Sequence, residues 1–231
     1  GEIRVQGRNP HSNRRENAMN IGVVFGQKTQ LWWDLPVRES FTLLKEIYEV
    51  DDTAYERRIQ EFDDVLQLEE FMAKPVRKLS LGQKMRCELA AAFLHKPPIV
   101  YLDEPTIGLD VAVKERIRQF IKKMNREEET TVMLTTHDID DIEDLCERIV
   151  VLDEGRKIYD GALDALVDRF TSRRLMLDMK DAEAFDLARE GIEEIERDGG
   201  RVEIVFNREK VSASDLMRDV LERYDVIDFQ I

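Results

Sequence analysis

Two short apolar runs, PIVYLDEP at residues 98–105 and TTVMLTTHD at 130–138, constrain the fold more than anything else in the sequence. Each is the length of one strand, carries β-branched and other apolar residues, and ends in polar ones. The stretch between them, about Ala112–Asn125, has helical periodicity. Strand, helix and strand in that order build a parallel pair, and strands covered on both faces read as continuous apolar runs, as VYLD and VMLTT do. The first run ends in Asp103 and Glu104, and His137 follows the second. Ligands of α/β sheets bind at the carboxyl edge of the strands, so all three side chains arrive at a productive place.

The rest of the chain extends this pattern. IGVVF (21–25) reads as a further buried strand, and residues 38–70 carry helical spacing, with Phe41, Leu44, Ile47 and Tyr48 on one face and Ile59, Phe62, Val65 and Leu66 on another. Pro75 breaks the chain before a new helix at Ser80. Residues 1–20 read as polar and turn-rich after a strand-like start, EIRV; an acidic helix is expected over about Ile139–Cys146, and RIVVLDEGRKIYDG reads as a hairpin with a D-E-G turn. Glu127–Glu129 reads as a solvated helix end. Beyond residue 170 the pattern changes: strand 174–179, helix 181–190, strands 192–197 and 201–206 joined at Asp198-Gly199-Gly200, helix 213–224, and a last strand, VIDFQI. That is the β-α-β-β-α-β order of a ferredoxin-like fold.

Composition excludes several classes of function. The 231 residues suit one large domain or two smaller ones, and a net charge of −14 makes nucleic acid and anionic membranes poor partners. The two cysteines, Cys87 and Cys146, have no metal-ligand spacing and read as buried thiols in a reducing compartment. No apolar run reaches the length of about 20 residues that a membrane span needs.

Each chemical motif taken singly is ambiguous. LDEP could be a surface turn; in a nucleotide hydrolase its first acid holds Mg²⁺ and its second polarises the attacking water. LSLGQ, at 79–83, could be a simple helix cap at Ser80, or a helix N-terminus that receives an anion. A lone His137 at a strand end could be structural. GVVFGQKT, at 22–29, imitates the phosphate loop G-x-x-x-x-G-K-S/T, but Gln27 stands where the second glycine belongs. Without that glycine the backbone N–H groups cannot curl around phosphate, and TQLWWDLP is a poor start for the helix that must come after the lysine.

Order and spacing resolve the ambiguity. LSLGQ, LDEPTIGLD, TTHD and VVLDEGRKIYDG together resemble the ATP-binding cassette (ABC) ATPase family over about residues 2–168. LSLGQ resembles its signature, with Leu81 in place of a glycine; IVYLDEP resembles Walker B, IGLD the D-loop and TTHD the switch-histidine loop. IGVVFGQ then resembles the Q-loop strand, with Gly26 as a one-residue insertion.

The resemblance implies a P-loop NTPase (ABC ATPase) α/β core in residues 1–168, with a helical signature subdomain at about 38–95, followed by the small α+β ferredoxin-like domain at 172–231. It implies ATP and Mg²⁺ as cofactors, Glu104 as general base, and His137 at the γ-phosphate. Asp103 and Gln27 serve the metal; Gln27, Ser80, Gly82, Gln83 and Asp110 serve ATP. The resemblance further implies a second ABC subunit as partner, head to tail, with two nucleotides between them. IGVVFGQKTQLWWDLPVRES and the C-terminal domain look most like the nucleotide-binding subunit of an ABC-2-type exporter, which works on the inner face of the membrane against separate integral membrane permease subunits. Trp32 and Trp33 lie where such subunits dock, and read equally well as core residues. Leu81 is strained if its backbone needs positive φ.

The stretch GEIRVQG resembles the segment shortly after the family's Walker A helix. The resemblance therefore implies a chain lacking the N-terminal portion that carries Walker A, inactive by itself and prone to aggregate where a neighbouring strand is missing. The rival readings are a non-transport ABC ATPase and a regulatory module without a phosphate loop. Calorimetry is expected to find no micromolar affinity of this chain alone for Mg-ATP; a micromolar Kd would overturn the P-loop-less reading.

Overall fold

The computed structural model describes residues 1–26, 28–167 and 172–231. It divides into two compact units, 1–146 and 147–231. The first holds α1 (Arg14–Met19), β1 (Ile21–Phe25), α2 (Val37–Ile47), α3 (Asp52–Leu66), α4 (Leu81–Phe93), β2 (Ile99–Asp103), α5 (Val111–Glu128), β3 (Thr131–Thr135) and α6 (Ile139–Leu145). The second holds β4 (Arg148–Asp153), β5 (Arg156–Ala162), α7 (Leu163–Val167), β6 (Ser172–Met179), β7 (Ile192–Asp198), β8 (Arg201–Asn207), α8 (Ala213–Arg223) and β9 (Val226–Gln230).

The parallel sheet expected from the two apolar runs is present, in the order β1-β2-β3. Its register aligns Phe25, Asp103 and Thr135, so the three strands end level. Val24, Val100 and Leu102 are buried beneath α4 and α5. Gly22 is required where α4 meets β1, since a Cβ there would lie 2.3 Å from the Ala92 carbonyl oxygen. The expectation that VMLTT is covered on both faces fails: Met133 is 59% exposed, and its register partner Tyr101 is only part-buried, so this face of the sheet is incompletely covered.

The helices meet around three phenylalanines. Phe120 of α5 makes edge-on contacts with Phe62 of α3 and Phe93 of α4, with centroids 5.2 and 5.3 Å apart, a geometry favoured by the ring quadrupoles. Beside them lies buried Arg58 of α3. Its guanidinium donates to both oxygens of Glu128 and to the Phe93 carbonyl, tying α3, α4 and α5 together. Glu128 is thus no solvated helix end: its side chain is 10% exposed, paired because a buried cation requires a partner. The chain start also differs from expectation. EIRV forms only an isolated bridge between Val5 and Arg8, and a short helix, α1, precedes β1.

In the second unit, β4 and β5 form the expected hairpin, with Glu154 and Gly155 both at positive φ. The hairpin groups with the C-terminal residues because its two strands pair with each other and not with the parallel sheet. Residues 172–231 build an antiparallel sheet in the order β7-β8-β6-β9, the strand order of the ferredoxin-like fold. Leu175, Leu177, Val202, Ile204 and Phe206 alternate onto the face covered by Leu216 and Val220 of α8.

The helix expected at 181–190 is absent. Ala182, Phe185 and Leu187 are buried; Phe185 and Leu187, two residues apart, do not share one helix face, and Phe185 N–H closes a turn on the Ala182 carbonyl. Side chains replace the missing helical bonds: Tyr224 Oη donates to the Asp186 carbonyl and accepts its N–H, and Arg197 donates twice to the Phe185 carbonyl. Tyr224→Phe is expected to lower stability by about 1 kcal/mol in urea unfolding, by removing two backbone partners at a solvent-reachable site; an unchanged midpoint would show that water replaces the hydroxyl.

Candidate functional site

The level ends of the strands place Gly26, Glu104 and Thr136 side by side. Asp103 closes β2, and its Oδ1 accepts a hydrogen bond from Thr135 Oγ1 of the neighbouring strand at 2.7 Å. Glu104 N–H donates to the Thr135 carbonyl at 3.0 Å, continuing the ladder by one residue. Glu104 itself is left-handed, with φ of 49°, where a side chain costs energy, and such strain gathers at functional sites. The turn brings its carboxylate to His137: Glu104 Oε1 lies 2.9 Å from His137 Nδ1. Only glycine fits beside this edge at position 26, since a Cβ on Gly26 would stand 2.8 Å from the Asp103 carbonyl oxygen. Gln27 lies outside the described residues.

A second set forms at two helix N-termini. Ser80 caps α4 in a reciprocal box: Ser80 Oγ accepts from Gln83 N–H at 3.2 Å, and Gln83 Oε1 accepts from Ser80 N–H at 3.1 Å. Asp110 caps α5, accepting from Val113 N–H at 3.0 Å. The two ends are neighbours. A Cβ on Gly82 would lie 3.3 Å from Val113, and one on Gly108 would lie 3.4 Å from the Leu81 side chain. Leu81 is the first residue of α4 and helical, so the strain anticipated at a positive φ does not arise; its side chain is 45% exposed. Ser80, Gly82, Gln83 and Asp110 therefore share one place, and Asp103, Glu104 and His137 share another, with the loop 105–109 running between them.

Sequence reasoning missed the residues that fix these loops. Asp141 is fully buried and binds Thr106, Thr136 and Arg118. Lys114 pairs with Asp138, which caps α6. Glu88, buried on α4, accepts from Thr29 Oγ1 and from Gln30 N–H, and burial raises its pKa. A carboxylate on the apolar face of a helical repeat was the available signal for Glu88 and Asp141 alike. Trp32 and Trp33, open between two readings, are 38% and 54% exposed and so are not core residues. Cys87 is buried, which pushes its thiol pKa up, and Cys146 is half-buried; both are free.

The comparisons with known proteins bear on these two sets. The family model described as "ABC transporter" matches residues 1–107. The probable sulfate/thiosulfate import ATP-binding protein CysA of Chlorella vulgaris is 30% identical over 172 residues, covering 74% of this chain and 72% of that protein. The chain belongs to the ABC transporter ATP-binding family. The Nod factor export ATP-binding protein I of Rhizobium meliloti is 34% identical over 172 residues, 73% of this chain, which spans half (50%) of that protein. The ATP-binding cassette MJ0796, solved as a dimer in a post-hydrolysis state with ADP and Pi, superposes with a TM-score of 0.62 at 30% identity, over 71% of this chain and 73% of that one. The ABC ATPase core and the mixed α/β fold are thereby established. No helix among the described residues is long and apolar enough to cross a membrane.

His137 is exposed, and its pKa is raised above the usual 6.5 by the hydrogen bond and charge of Glu104, with Asp138 adding and Lys114 opposing. A raised imidazole pKa means that the protonated imidazole, and the stability its partner lends it, is fully present below the ordinary pKa of 6.5 and is lost as pH rises through the higher folded one. Titration followed by NMR is expected to place His137 above its ordinary value, and Glu104→Gln to bring it back; equal titration in both proteins would break the assigned pairing.

Proposed function

We propose that this chain is the ATP-hydrolysing subunit of an ABC-2-type exporter, cytoplasmic and peripheral on the inner face of the membrane. The observation that carries the hydrolytic part is the 2.9 Å contact between Glu104 and His137 at the strand ends, beside Asp103. Glu104 is the general base: it takes a proton from the water that attacks the γ-phosphate. His137 holds Glu104 in place through Nδ1 and offers its other ring nitrogen to the γ-phosphate. Asp103, one oxygen of which accepts from Thr135, would hold Mg²⁺ through the other, and the family resemblance gives Gln27 the same task. Carboxylate oxygens suit Mg²⁺, which when bound neutralises charge on the β- and γ-phosphates.

The N-terminus of α4 is read as the contact with the nucleotide of a second subunit. Its first N–H groups point out of the helix, and Gly82 lets phosphate approach the backbone closely. Ser80 and Gln83 fix that turn through their mutual caps, and Asp110 caps the neighbouring helix end. The exporter assignment is supported by the exposed Trp32 and Trp33, which offer an apolar platform to a membrane subunit, and by the likeness to the Nod factor export protein.

Glu104→Gln in the assembled ATPase is expected to slow hydrolysis by roughly 10²–10⁴ while ATP binding persists, the range for loss of a general base. Hydrolysis at the parental rate would refute the assignment of Glu104. Trp32→Ala with Trp33→Ala is expected to leave hydrolysis intact and abolish co-purification with the membrane subunits; retained co-purification would count against the docking platform.

A further inference from the structure

Asp141 lies in an acidic run, Asp138 to Asp144, that reads as a solvated helix face, yet it alone in that run is fully buried. Its three donors come from three elements. Thr106 Oγ1, in the loop after β2, donates to Oδ2; Thr136 Oγ1, in the loop after β3, reaches the same oxygen at 3.4 Å; Arg118 Nε of α5 donates to Oδ1 at 2.7 Å. Thr106 is two residues beyond Glu104 and is itself 1% exposed, and Thr136 directly precedes His137.

We propose that Asp141 is a positioning residue that clamps the two strand-end loops together, so that the Glu104 carboxylate and the His137 imidazole meet. Among the described residues, nothing else ties both loops to one atom. Backbone pairing ends with Glu104 N–H on Thr135, and among the described residues no backbone hydrogen bond joins the loops 105–109 and 136–138. A buried carboxylate without donors is costly, so the three donors and Asp141 hold each other in one arrangement. Arg118 supplies the countercharge, and Lys114 with Asp138 anchors the start of α6 to the same helix. The contribution to ATP turnover rests on the function proposed above; the clamp itself does not.

The test is the titration of His137, read by NMR in the 231-residue chain without nucleotide. The chain has three histidines. His95 serves as an internal reference: burial lowers its pKa to about 4, away from the range that His137 occupies. The charged groups that face His137 are Glu104, Asp138 and Lys114. Thr106→Val removes the hydroxyl tie and no charge, so a change in titration reports geometry. The expected result is that His137 falls back towards its ordinary pKa in Thr106→Val, falls in Asp141→Asn, and keeps its raised value in Thr106→Ser. If Asp141→Asn does not fold, the Thr106 pair decides alone. His137 titrating as in the parent in folded Thr106→Val overturns the clamp. That outcome is separable from failure of the hydrolytic reading, which shows instead as undiminished hydrolysis in Glu104→Gln.

Discussion

The parallel register of three strands is the constraint on which the rest depends. Pairing Phe25 with Asp103 and Asp103 with Thr135 makes the strands end level, so the residues beyond them leave the sheet at one edge. A shift of one residue in β3 would turn its side chains over and carry His137 away from Glu104, since side-chain direction alternates along a strand. The register rests in turn on what covers the sheet. Gly22 and the run Ala90–Ala92 let α4 lie close on β1, and Ile117 and Phe120 of α5 fill the space beside them.

Charged groups do the fine positioning around that frame, and each is worth more for its location than for its charge. Lys114, Arg118 and Lys122, one helical turn apart on α5, meet Asp138, Asp141 and Asp144 on and before α6. The outermost pair is half-exposed and contributes little to stability, while the innermost is desolvated and fixes geometry. Glu88 acts in the same way on the other side. By holding Thr29 and Gln30 it pins the stretch leading to Trp32 and Trp33 onto α4, the helix that begins at the signature. The N-terminal end of α4 and the exposed tryptophans thus belong to one braced piece.

The second unit shows a different division of labour. Alternation alone determines β6, β7 and β8, and their hairpin turn needs the two glycines at positive φ. The segment 181–191 has helix-forming residues but gives up the helix, because Phe185 and Leu187 gain more by entering the core and because Tyr224 and Arg197 satisfy the backbone groups left over.

Much of the site was legible in the sequence because it is local. Apolar runs specify strands, the residues at their ends arrive at the sheet edge, and Ser80 with Gln83 or Asp110 with Val113 cap helices within four positions. The resemblance to a family then supplied roles that no single motif carries. What sequence alone could not decide is long-range: whether Trp32 and Trp33 are covered, whether Glu128 meets solvent or Arg58, and which acid of Asp138–Asp144 turns inward. Local pattern assigns a residue to a face of its own element. Which element covers that face, and which partner stands there to satisfy a buried charge, is settled only when chain segments far apart in sequence pack together.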